Sequence, residues 1–195
     1  LGAFRKAIAG VQAKGVPVGL YIEGYLLEER GKLGQAHGKE WQRVDAAGNF
    51  SYWPKSTEMF ICPWVPAWRQ VQAETYGRMV RDAGINGMYL DQFGFTNRGK
   101  ECFSPAHGHP VPGNPIPGER GLAEGVRRSI DAAKPGVALY SEECPPDVNS
   151  RYQDGSFTYS MNRARRAASR VPLNLKRFAI PSFKTFEILV CDKPT

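Results

Sequence analysis

The chain has 195 residues, 42% hydrophobic and 23% charged, a composition that excludes a disordered tail, a collagen repeat and a low-complexity segment. Its longest apolar run near the start, residues 16–22, falls far short of the roughly 20 residues a membrane helix needs, so no membrane partner is expected. The net charge of +7 could draw an anion, but the excess sits in Arg163, Arg165, Arg166, Arg170, Lys176 and Arg177 without a nucleic-acid module, so nucleic acid is not an expected partner.

Residues 1–14 read as an amphipathic helix, with Phe4, Ile8 and Val11 on one face and Gly15 as its stop. Residues 16–22 follow as a short apolar strand ending at Glu23; the lack of polar alternation predicts burial on both faces, as in a parallel sheet. Residues 24–57 read as a long loop and residues 60–62 as a short strand. Pro66 fits the first turn of a helix whose stripe is Trp68, Val71, Tyr76, Met79, Val80 and Ala83, ended by Gly84. Residues 85–91 then form a buried strand ending in Asp91 and opening into a second long loop, 92–117. Leu122, Val126 and Ile130 mark a helix over 121–134, and residues 137–140 a strand that leads into Glu142 and Glu143. Weaker strands are predicted at 157–159, 178–180 and 186–190, with a basic helical segment at 162–170.

Helices alternating with short buried strands define an α/β class with a parallel sheet. Neither GxGxxG nor GxxxxGK[ST] follows any strand, which argues against a nucleotide fold. Strand after strand instead ends in polar or acidic residues and a long loop, the layout of the active face of a (β/α)8 TIM-type barrel. A whole barrel takes about 250 residues, and this chain offers about six strands and begins in a helix. The expectation is therefore one domain over residues 1–195, a partial barrel lacking one or two N-terminal βα units. Cys62, Cys102, Cys144 and Cys191 lie about forty residues apart with no CxxC pair, which reads as free buried thiols.

The strongest chemical signal is Asp91 with Glu142 or Glu143, carboxylates at the ends of successive strands. Glycosidic cleavage needs two such groups flanking one bond, and strand ends supply a fixed spacing. Each acid alone would more simply be a solvated surface group; the pairing across strands favours chemistry. Aromatic side chains add to a carbohydrate reading because sugar rings stack their C–H faces on them. Trp41, Tyr52, Trp53, Trp64 and Trp68 fall in or beside the loops; Trp68 belongs to the helix core, leaving Trp53 and Trp64 as candidates. Loop 92–117 carries Cys102, His107 and His109, which invites a metal reading. Without a second ligand cluster the histidines are read instead as substrate contacts on a stiff, proline-rich lid, and no metal or cofactor is expected.

Residues 84–92, Gly84-Ile85-Asn86-Gly87-Met88-Tyr89-Leu90-Asp91-Gln92, resemble the nucleophile strand of retaining glycoside hydrolases of the α-galactosidase and α-glucosidase clan. With Cys62-Pro63-Trp64, Pro66-Ala67-Trp68, the Cys102 to His107-Gly108 loop and Ser141-Glu142-Glu143, the sequence resembles a little-characterised bacterial branch of such barrel hydrolases over most of residues 16–155. The resemblance implies an α-linked glycoside as substrate, Asp91 as nucleophile and Glu142 as acid/base, with Glu143 its rival. Better-known members use an Asp on a later strand for that role, which keeps Asp147 and Asp154 open. Glu23 matches, more loosely, a position that binds a sugar hydroxyl, and Tyr21 and Gln92 beside the acids join Trp53, Trp64, His107 and His109 as expected substrate contacts. The competing readings are a carbohydrate-binding or scaffold barrel fragment without activity, and a phosphate-ligand binder whose affinity would fall with salt.

Overall fold

In chain order the elements are α1 (Gly2–Gln12), β1 (Gly19–Glu23), β2 (Leu26–Glu28), α2 (Lys32–Trp41), β3 (Glu58–Phe60), α3 (Pro66–Ala83), β4 (Gly87–Asp91), α4 (Pro115–Ala133), β5 (Ala138–Ser141), α5 (Asp147–Ser150) and β6 (Gly155–Ser156). They come from a computed structural model that describes residues 2–92, 101–142 and 147–156. The strands and helix expected beyond residue 156 lie outside the described residues.

Four strands form one parallel sheet in the order β1-β4-β5-β6. Parallel neighbours need a crossover between them, and here α3 leads into β4 and α4 into β5. The two helices pack on each other and on one face of the sheet. Tyr76 and Val80 of α3 and Leu122, Val126 and Ile130 of α4 meet Met88, Leu90 and Leu139 there, all essentially buried. The 3.6-residue stripes of the sequence are thus the seam of this core. Of the expected face of α1, only Ile8 is buried, while Phe4 and Val11 are exposed. Gln12 of that helix instead donates to the Gly84 carbonyl at 2.9 Å and to Asn86 Oδ1 at 2.6 Å.

Burial on both faces of the strands is not what the structure has. Tyr21, Tyr89 and Tyr140, on the face away from the helices, line an open groove of about 680 Å³ together with Gly19, Gly87 and Ala138. Tyr21 is 59% exposed. In a closed barrel this face is the interior, filled by side chains of other strands; four described strands do not close one.

The region 24–57, expected as a loop, holds β2 and α2. Of residues 60–62, expected as a strand, only Phe60 lies in one, the end of β3, which pairs antiparallel with β2 in a separate two-stranded sheet; Ile61 makes an isolated bridge to Gln42. Glycine explains why α2 was hard to read. A Cβ on Gly38 would lie 2.2 Å from Met59 Cε, so the residues that weaken the helix pattern are the ones that let it pack on β3. Among the described residues no helix is long and apolar enough to cross a membrane.

Candidate active site

Register carries the acids to one line. Glu23 ends β1 directly opposite Asp91 at the end of β4. Leu90 pairs with Ser141 on β5, so Glu142 stands one step further on, where its amide donates to the Leu90 carbonyl at 3.0 Å. In a parallel sheet, register partners point to the same face. Glu23, Asp91 and Glu142 therefore continue the row of the groove tyrosines at the C-terminal edge of three adjacent strands.

Hydrogen bonds hold each acid of this row in place. The Tyr21 hydroxyl donates to Asp91 Oδ2 at 2.5 Å. Glu142, only 7% exposed, accepts the Gln92 amide at 2.8 Å through Oε2. Gln92 makes that contact from a φ of 55°, a left-handed conformation uncommon for a residue with a side chain and frequent at functional sites. Glu23 Oε1 accepts the amides of Tyr25 at 2.9 Å and Leu26 at 3.3 Å.

The electrostatics follow from crowding. Burial, helped by the Asp91 charge and a side-chain hydrogen bond to Asp91, pushes Glu23 up from 4.5 to about 8 against the two amides that oppose it. At neutral pH Glu23 is thus a carboxylic acid that donates to the Asp91 carboxylate. Burial and the hydrogen bond to Asp91, with the charges of Glu23 and Glu142 behind them, push the Tyr21 hydroxyl up, so it stays a donor. The Tyr76 hydroxyl is raised by burial and by the charges of Glu23 and Asp91.

Other expected site residues lie elsewhere. Trp53 is exposed in the loop before β3, its ring tilted on Phe60 at 5.9 Å. The Trp64 indole N–H donates to the Asn114 carbonyl at 2.6 Å, and its ring meets His109 edge-on. Trp41 and Trp68 are core residues. Asp154, a rival proton donor, is engaged structurally: its Oδ2 accepts Arg127 and the Leu139 amide, each at 2.8 Å. Glu143 and the side chain of Asp147 lie outside the described residues.

His107 and His109, expected on a lid over substrate, are buried in a second cluster. One ligand atom from each of Cys62, Cys102, His107 and His109 lies within 4.8 Å of every other, and this is the group of side chains, among the described residues, close enough to hold a metal ion. Cys62 enters from the turn after β3 and the other three from the connection between β4 and α4. The Cys62 thiol donates to the Cys102 sulfur; this contact, and then burial, pushes Cys62 up, while the same contact together with His107 pulls Cys102 down. From the sequence, Cys102, His107 and His109 were set aside as a metal cluster for want of a further ligand group; Cys62, forty residues before Cys102, joins them only through the packing of the β2–β3 excursion.

Comparison with known proteins bears on the fold. Solved structures that superpose on the chain include a maltogenic α-amylase from Thermotoga neapolitana, 16% identical with a TM-score of 0.60 over 85% of this chain and 33% of that one. An α-galactosidase from Lactobacillus brevis is 14% identical, with a TM-score of 0.60 over 80% of this chain and 21% of that one. An α-galactosidase from Thermus thermophilus in complex with stachyose is 15% identical, with a TM-score of 0.55 over 78% of this chain and 30% of that one. What the chain shares with these TIM-barrel enzymes is an α/β fold with a parallel sheet, and it spans a third or less of their length. The chain belongs to the family described as Domain of unknown function (DUF6259), whose sequence profile matches residues 2–183. No curated protein matches the sequence.

Proposed function

We propose that the protein is the core of a retaining glycoside hydrolase acting on an α-linked glycoside. The observation that carries this reading is the row of three carboxyl groups on adjacent strand ends, with Asp91 gripped by the Tyr21 hydroxyl. Two donors, Tyr21 and the protonated Glu23, fix the Asp91 carboxyl group in orientation, and a fixed orientation is what a nucleophile requires. Asp91 attacks the anomeric carbon while the bond to the leaving oxygen breaks and Glu142 protonates that oxygen. Water then gives its proton to Glu142, adds to the anomeric carbon and frees Asp91. A retaining enzyme needs about 5–5.5 Å between nucleophile and acid/base. Glu23, already in hydrogen-bond contact with Asp91, is too close for that part and suits a sugar hydroxyl instead.

The test uses aryl α-galactosides and α-glucosides with added azide. Asp91→Ala should lower turnover by about 10³-fold or more, and azide should rescue it with formation of the β-glycosyl azide. Glu142→Ala should spare substrates with activated leaving groups and give the α-glycosyl azide. Unchanged turnover in Asp91→Ala, with proper folding, overturns the assignment. A binding-only reading finds support in the stacked Tyr21 and Tyr89 rings, 5.7 Å apart on the open face; it requires oligosaccharide binding that Asp91→Asn leaves intact, without cleavage by the parent chain.

A further inference from the structure

We propose that Cys62, Cys102, His107 and His109 form a closed, four-ligand zinc site that staples the β4–α4 connection to the β2–β3 excursion. Two thiols and two imidazoles are the donor set that tetrahedral structural zinc takes, and soft sulfur with imidazole selects zinc over the hard cations that prefer oxygen. The four side chains are buried, Cys62 and Cys102 at 1% and 3% exposure and the histidines at 5% and 8%. No position is left open to solvent for a bound water, which marks a structural site.

The histidines carry the argument furthest, because a backbone carbonyl can only accept. His107 Nε2 lies 2.8 Å from the Glu40 carbonyl and so bears the hydrogen, which turns Nδ1 toward Cys102 Sγ at 3.3 Å. His109 Nδ1 lies 2.7 Å from the Pro110 carbonyl and bears the hydrogen there. Its Nε2 lone pair is left buried with no hydrogen-bond partner among the described residues. An orphaned buried acceptor costs about 1–3 kcal/mol, and coordination to zinc removes that cost. A carbonyl holding the far nitrogen of each ring is the outer arrangement that ligating histidines have.

Size and charge agree. Zinc with Zn–S near 2.3 Å and Zn–N near 2.0–2.1 Å sets tetrahedral ligand separations of about 3.3–3.8 Å; the four atoms already lie within 4.8 Å and need only a small contraction. On binding, the two thiols release their protons to solvent, and Zn²⁺ with two thiolates and two neutral imidazoles has no net charge. Neutrality suits a buried site beside the Arg43 guanidinium, which interacts with both sulfurs. Gly113 completes the pocket: a Cβ there would lie 2.2 Å from His109 Nδ1, so only glycine lets the ring sit over the 102–113 bridge.

The full chain, purified without chelator or affinity metal, should carry about one zinc per molecule by mass spectrometry. Stripped protein titrated with Co²⁺ should develop the visible bands of a tetrahedral site and thiolate-to-cobalt charge transfer, saturating at one equivalent. Cys102→Ser and His109→Ala should each lower retained zinc at least about tenfold, and chelation of the parent should lower its Tm by several degrees. Should the variants not fold, the cobalt spectrum of the parent chain decides alone. Absence of the charge-transfer band, or recovery of Cys62 and Cys102 as a disulfide in freshly purified protein, overturns the proposal.

Discussion

Glu23 and Asp91 face each other from register-paired ends of β1 and β4, and burial, with the Asp91 charge and the hydrogen bond between the carboxyl groups added to it, keeps a proton on Glu23 up to about pH 8. The ordinary value is 4.5. Between these two values the folded chain binds a proton that the unfolded chain has released, so stability falls as pH rises across the window. The contribution is fully present below pH 4.5 and gone above pH 8. Glu23→Gln removes the titration while keeping a donor toward Asp91. Denaturant midpoints measured from pH 5 to pH 8 should therefore decline for the parent and decline less for Glu23→Gln, with the variant relatively more stable at pH 8. Parallel curves would show that Glu23 is already ionised at neutral pH.

Tyr21 offers a separate probe of the same row. Its hydroxyl donates to Asp91 Oδ2 at 2.5 Å, and burial with the neighbouring acids holds it protonated. Hydrogen bonds to charged groups contribute about 1.5–3 kcal/mol, so Tyr21→Phe should lower kcat/KM on aryl glycosides by roughly 10- to 100-fold. Tyr21 is largely exposed, so solvent can replace the lost bond in the resting chain and Tm should fall only slightly. A large fall in Tm with unchanged kcat/KM would make Tyr21 a structural residue and loosen the case for Asp91.

Much of this arrangement was legible in the sequence. Wherever a helix presents one apolar stripe between clear stops, as α3 does between Pro66 and Gly84, its periodicity alone places it. Asp91 and Glu142 could be read because strand ends are where the chain leaves the core, so an acid there faces the rim. What escaped depends on contacts between distant segments. The glycines of α2 look like loop residues until Met59 packs on Gly38, and Cys62 looks like an isolated thiol until β3 folds back on β2 and brings it to Cys102. The open tyrosine face escaped for another reason: an apolar strand reads the same whether helices cover both faces or one face lines a barrel interior.

Asp154 separates architecture from chemistry. Arg127 reaches from α4 to Asp154 at 2.8 Å, to Asp131 at 2.9 Å and to the Val137 carbonyl at 2.6 Å, fastening the helix to the edge between β5 and β6. Asp154→Ala removes the acceptor of both Arg127 and the Leu139 amide. It should cost about 1–2 kcal/mol in denaturant unfolding, moderated by the exposure of the pair. Turnover per folded molecule should stay within about twofold of the parent, whereas loss of an acid/base would lower it by 10²-fold or more. A collapse of kcat with stability intact would move the proton donor from Glu142 to Asp154.

Gly113 shows how closely the second cluster is built. The amide of Gly113 donates to the Cys102 carbonyl at 2.7 Å and its carbonyl accepts the Cys102 amide at 3.0 Å, so the backbone cannot yield without breaking the bridge. A methyl group at this position meets the His109 ring at 2.2 to 2.5 Å. The ring must then rotate away, which breaks its bond to the Pro110 carbonyl and drives it toward Trp64. Overpacking of this kind costs about 1–3 kcal/mol, so Gly113→Ala should lower the denaturant midpoint by that amount. Gly48→Ala, where the added methyl meets open space, controls for glycine replacement in general but carries the strain of its φ of 82°. Combining Gly113→Ala with His109→Ala should recover most of the loss caused by the clash, because the smaller side chain leaves room for the new methyl. If the double variant is as unstable as the sum of the two single ones, the close approach of His109 to Gly113 is not what makes this position sensitive.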